Sequence, residues 1–244
     1  MTTPTAAGTA TAAAVVRRSA LDSRHEALGA TFASATDRWP THYGDPAAER
    51  AAVEASAGLA ELGPYGEVLL RGPGAADLTA RLTAGAVLAK PAVVRATLGG
   101  AVGQAWCLGP DEVLLIGPAG SWTDELATHL GGADASAIEM TGARTALRLA
   151  GPAAPAIMAE LCPDDTTPAT LEEGQLLQAP FAGPRAFIVR QDGPGGLPGY
   201  TFLVARDEAA YVWDATLAVG TGHGLVPVGP AAVGSTTAEQ EGGR

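Results

Sequence analysis

Residues 38–50 read RWPTHYGDPAAER and crowd a tryptophan, a histidine and a tyrosine into one short stretch. The chain of 244 residues holds only 4 His and 4 Tyr, so an adjacent pair of them is a candidate for proton chemistry. Imidazole changes charge near neutral pH, and a neighbouring phenol can pass it a proton or hold a ligand. Asp45 supplies an N-cap, Pro46 takes the first helical position and Glu49 falls in the first turn. A helix therefore starts just after the pair, and Gly58 is expected to close it. Free backbone N–H groups at such a helix start attract anions. His42 and Tyr43 are thus either a catalytic pair facing a cavity or a packing and capping device for the helix.

Four further side chains are candidates for ligand binding: Trp106, Tyr200 and Arg144 by residue type, and Tyr65 in LGPYGE by resemblance to a known family. Arg144 and Arg190 stand at the ends of predicted strands, where either could anchor a carboxylate. Cys107 neighbours Trp106 on one strand, so alternation places the two on opposite faces. With 2 Cys there is no disulfide framework, and both thiols read as buried and inert. His25, His42, His129 and His223 show no metal-ligand spacing, so no metal site is assigned. The GPGGLPG run at 193–199 has no helix directly after it and reads as a lid or an inserted turn rather than a phosphate loop.

These side chains need a scaffold, and composition allows one. Hydrophobic residues make up 47% and charged residues 17%, enough for a sizeable core. A net charge of −11 argues against nucleic acid and anionic membrane as partners. The apolar run before Arg17-Arg18 is too short to span a bilayer and precedes its charges, the reverse of a signal peptide. A cytoplasmic protein is expected, with residues 1–16 as a disordered tail, an ordered body over 17–230 and a flexible end over 231–244. Within the body, GEVLLRGPGAADLTARL predicts a strand, a Gly-Pro turn and a helix over Ala75–Leu82. RTALRLAGPAAPAIMAEL repeats that plan about 80 residues later, which suggests duplication into halves of about 60–135 and 140–220. Helices on antiparallel strands make the fold class α+β.

In this order the segments HEALGATF, THYGDPAAERAAVEASAGLAEL, GEVLLRGPGAADLTARL, RTALRLAGPAAPAIMAELCPDD, GYTFLVARDEAAYVWDATLAVG and GLVPVG resemble the folate-binding domain of the aminomethyltransferase (glycine cleavage T-protein) family. They are also similar to the gamma subunit of heterotetrameric sarcosine oxidase. The resemblance runs from about Leu21 to Gly229. It implies two similar halves around a central cavity, without the C-terminal barrel of full T-proteins. It further implies transfer of a methyl or aminomethyl unit linked to tetrahydrofolate, with no metal. Three of the family's polar positions read otherwise here: Ala84 for an Asp near the reactive folate nitrogen, Leu197 for the Glu that grips the pterin, and Val233 for a closing Arg. His42 stands where the family has Gln beside Tyr43, and Trp106 matches an aromatic beside the cavity.

Three functions fit these residues. The first is a stand-alone one-carbon transferase linked to tetrahydrofolate. The second is a repurposed, folate-independent enzyme acting on a small organic substrate in the same cavity. The third is a non-catalytic gamma-like subunit of a sarcosine oxidase-type complex. The partners expected are accordingly a small-molecule substrate and either oxidase subunits or a second copy of the chain.

Overall fold

The computed structural model describes residues 16–83, 91–98, 100–118, 126 and 129–234. Most of the expected N-terminal tail, Ala84, most of SWTDELATHL and the end from 235 onward lie outside the described residues. An entry segment contains β1 (Arg17–Arg18), α1 (Asp22–Ala27), β2 (Thr31–Phe32), β3 (Asp37–Arg38) and β4 (Pro40–His42). In it β1 pairs with β3 and β2 with β4. Next comes α2 (Pro46–Ala55), whose N-cap Asp45 accepts a hydrogen bond from the Ala47 N–H at 3.0 Å. Gly58 does not close this helix. The chain leaves it at Ser56 and enters β5 (Ala57–Leu62), all six of whose residues are buried.

The body is two sheets built on one plan. The first unit runs β6 (Gly66–Arg71), α3 (Ala75–Leu82), β7 (Ala92–Leu98), β8 (Ala101–Gly109), β9 (Glu112–Gly117) and β10 (Ser136–Glu139). The second runs β11 (Arg144–Ala150), α4 (Ala154–Leu161), β12 (Leu176–Pro180), β13 (Arg185–Arg190), β14 (Gly199–Ala205), α5 (Ala209–Thr221) and β15 (Leu225–Pro227). The first sheet has the order β10-β6-β9-β8-β7 and the second β12-β13-β14-β11-β5-β15. Read from opposite ends, the two orders match strand for strand once β5 is set aside. The second sheet is the first one opened to admit β5 between β11 and β15. The fold is α+β, with two similar halves.

The repeated Gly-Pro turn explains why each strand–helix junction looks the same. Gly72 and Gly151 hold φ near +133° and +130°, a region closed to L side chains. At both glycines a Cβ would also strike a backbone carbonyl, that of Asp134 or of Ser56. The sheets meet where the start of β7 bridges the residues that lead into β12, with the Val93 N–H donating to the Gly174 carbonyl at 2.7 Å and the Leu176 N–H to the Pro91 carbonyl at 3.1 Å. Alternation then sorts the core. Val68, Leu70, Cys107, Val113 and Leu115 pack under α3, while Leu69, Trp106, Leu114 and Ile116 face the second sheet with Ala146 and Leu203. Strands sandwiched on both faces read as unbroken apolar runs such as VLL and VLLI. Among the described residues no helix is long and apolar enough to cross a membrane.

Candidate functional site

One face of β11 organises the site through three alternate residues, Arg144, Ala146 and Arg148. Arg144 lies in the wall of a polar pocket of about 90 Å³, together with Arg17, Trp39, Glu61, Tyr65 and Arg206. Beside the small Ala146 lies a narrow apolar cleft of about 20 Å³ between the sheets, lined also by Leu62, Trp106, Ile116 and Leu203. Tyr65 and Leu62 belong to both cavities. Arg148 ends the series as a buried cation.

The polar pocket is backed by a line of hydrogen bonds. Glu61 is 2% exposed and accepts from the Ser19 hydroxyl at 2.7 and 2.5 Å. Its Oε2 lies 2.7 Å from His25 Nε2, and His25 Nδ1 lies 2.6 Å from the Tyr43 hydroxyl. One tautomer satisfies the whole line: Nε2–H donates to Glu61, and Nδ1 accepts from Tyr43. The Trp213 ring meets His25 edge-on at 5.0 Å and fixes the imidazole plane. Burial, followed by the charges of Glu61 and Glu49, pushes the Tyr43 phenol well above its ordinary pKa, so Tyr43 stays a donor.

Arg144 is paired with Glu67 in a short contact and lies over the Phe187 ring at 5.2 Å. Burial pushes Glu67 up to about 7 against the opposing pull of Arg144, and among the described residues its second oxygen, Oε2, has no partner. Tyr65 donates to the Arg144 carbonyl at 2.9 Å. Its phenol is also pushed far up, chiefly by burial.

At the far end of β11 the surroundings change. Leu197 and Val233 meet in one apolar cluster with Val53, Ala60, Ala150, Val228 and Ala232. Arg148, 1% exposed, lies beneath it and donates to the carbonyls of Val233, Gln191 and Asp192 and to the Thr201 hydroxyl at 2.8–3.1 Å. Burial lowers its pKa to about 10. No acceptor for a pterin's N–H donors is offered by either apolar side chain, so these two positions do not fit the family's pterin grip; Ala84 lies outside the described residues.

The structure separates the candidates drawn from sequence. Tyr43 and His42 are neighbours in the chain but do not bond each other: Tyr43 bonds His25, and among the described residues the buried His42 Nδ1 has no partner. Neither lines the two cavities. The strand end carrying them is tied down by Glu49, which accepts from the backbone N–H groups of Tyr43 and Gly229. Tyr200 is a core residue, fully buried with its hydroxyl on the Thr166 carbonyl at 2.8 Å. Trp106 lines the cleft, with its indole N–H on Gln104. Tyr65 and Arg144 stand together at the polar pocket. Burial pushes the Cys107 thiol up to about 11, which fits an inert role. Sequence reasoning missed His25, Glu61, Arg17, Arg206 and Trp39. The legible signal was Glu61, a lone carboxylate inside the apolar run AGLAEL.

Comparison with known proteins places this geometry. The profile of the GCVT N-terminal domain matches residues 21–242. The chain belongs to that family. An aminomethyltransferase of Streptomyces coelicolor is 32% identical over 227 residues, covering 88% of this chain and 60% of the relative. The chain thus spans about three fifths of the length of the aminomethyltransferases it matches. A sarcosine oxidase subunit gamma of Arthrobacter is 43% identical over 81 residues, 32% of this chain and 39% of that one. Among solved structures, the glycine cleavage system aminomethyltransferase T of Bartonella henselae superimposes with a TM-score of 0.73 at 23% identity, covering 89% of this chain and 60% of that chain. A chain of the heterotetrameric sarcosine oxidase of Corynebacterium sp. U-96 gives 0.57 at 21% identity, covering 74% and 93%.

Proposed function

We propose that this chain is a one-carbon transferase of its family that works on a small organic substrate in the polar pocket and binds tetrahydrofolate only weakly. The observation that carries the reading is the apolar cluster joining Leu197 to Val233. A pterin buried there would leave its N–H donors unpaired, at about 1–3 kcal/mol each. The polar pocket keeps arginines, a tyrosine and a carboxylate, the groups a small polar substrate needs. Glu61 is the acid–base group of this reading. Tyr43 keeps its proton: its hydroxyl donates to His25 Nδ1 and His25 Nε2–H donates to Glu61, so the line orients the carboxylate that exchanges a proton with the substrate. His42 takes no part. Titration calorimetry with tetrahydrofolate tests the reading: little or no heat is expected. A submicromolar dissociation constant, about −8 kcal/mol, would overturn it.

A second reading, a gamma-like subunit of an oxidase complex, is favoured by the 43% identical stretch shared with the Arthrobacter subunit. Size-exclusion chromatography of native extract separates the two. Elution with oxidase subunits supports the second reading, and elution alone or as a small homo-oligomer supports the first.

A further inference from the structure

The polar pocket concentrates positive charge in an acidic protein. The chain has 15 Lys and Arg against 26 Asp and Glu, yet Arg17, Arg144 and Arg206 all line this one cavity. Two of them are already matched: Arg17 bonds Asp37 at 2.8 Å, and Arg144 holds Glu67. Arg206 is different. Its Nη2 donates to the Arg18 carbonyl at 2.9 Å, and among the described residues no carboxylate pairs with it. A guanidinium has five N–H donors in a planar fork suited to a carboxylate, so most of its donors remain open.

The rest of the wall narrows the ligand. Trp39, Leu62, Pro64 and the Tyr65 ring give an apolar side suited to a flat body. Among the described residues Glu61 is the one carboxylate in the wall, and beyond its bonds to Ser19 and His25 it retains acceptor capacity for a donor on the ligand. We propose that this pocket binds a small, flat organic carboxylate that also carries an O–H or N–H donor, its acid group on Arg206 and its donor on Glu61. This rests on reading the pocket as the substrate site, and it names the class of substrate.

The test compares three probes of one shape by calorimetry at low salt: 4-hydroxybenzoate, benzoate and 4-hydroxybenzamide. The expected order is 4-hydroxybenzoate tightest, benzoate weaker and the amide weakest. Arg206→Gln should weaken both acids about tenfold and leave the amide unchanged, while Arg50→Gln, an exposed arginine on α2, should change nothing. If the acids bind no better than the amide, or Arg206→Gln has no effect on them, the proposal is overturned. Benzoate binding as tightly as 4-hydroxybenzoate would overturn the role given to Glu61. Failure of the folate reading shows instead as tight tetrahydrofolate binding, a separate measurement.

Discussion

Arg144 and Arg148 sit four residues apart on one face of β11, and the protein treats their charges in opposite ways. Arg144 keeps a carboxylate partner, an aromatic ring beneath it and an opening to the pocket. Arg148 has lost water altogether and is held by three carbonyls and a hydroxyl, with no carboxylate in contact. Carbonyl dipoles satisfy the geometry of this guanidinium, and the Asp192 and Glu173 carboxylates act on its charge only through space, an arrangement that serves structure rather than ligand binding. A charge next to an open cavity remains usable; a charge saturated by backbone does not. The two ends of one strand therefore differ in what a ligand could reach: a guanidinium beside an open pocket at one end, a buried one at the other.

The sharpest way to break this comparison is Arg148→Met. The change leaves four oxygens without their donor and should cost about 3–5 kcal/mol, read from urea unfolding. A loss below 1 kcal/mol, within the range of ordinary surface changes, would mean that the carbonyl cage is incidental. At the other end, Glu67 binds its proton more tightly in the folded protein than in the unfolded chain. Folding is then favoured by the protonated acid, so this contribution is full below pH 4.5 and is lost as pH rises to about 7. The loss should be on the order of 2–3 kcal/mol. Glu67→Gln should flatten the stability profile across that window, and an unchanged slope would show that Arg144 fully compensates the carboxylate.

A smaller effect separates the two residues of the THYG stretch. Tyr43→Phe removes the donor to His25 and should lower stability by about 1–2 kcal/mol. His42→Gln breaks no hydrogen bond at Nδ1 and should stay within about 1 kcal/mol of the parent. Thermal melts of the two variants decide the order; the reverse order would return His42 to the centre of the site.

Sequence carried the scaffold well because its rules are local. The Asp45 cap, the Gly-Pro turns and the helices after them follow from residues a few positions apart, and all appear in the structure. Of the candidates read from sequence, Tyr65 and Arg144 line the polar pocket and Trp106 the apolar cleft; Tyr65 stood out by its place in the family pattern and Arg144 by its position at a strand start. His25 and Glu61 were missed because their partnership spans 36 residues and depends on β5, which ended up in a sheet rather than at a helix end. Gly58 read as a helix stop is the same error seen from the backbone. Adjacent residues point to different surroundings in extended chain, so His42 and Tyr43 were never bound to share a role.

Strand β5 also sets a timetable. Every strand of the first sheet is contiguous in the chain, but β5 is synthesised about 80 residues before β11, the strand it must lie against. At roughly 5–20 residues per second, the nascent chain carries this apolar strand unpaired for several seconds. The first sheet can close in that interval. Its partner sheet cannot, because β15, on the other flank of β5, is the last strand made. A ribosome-bound chain halted near residue 140 should therefore present β5 as an open edge, the segment most available to a chaperone.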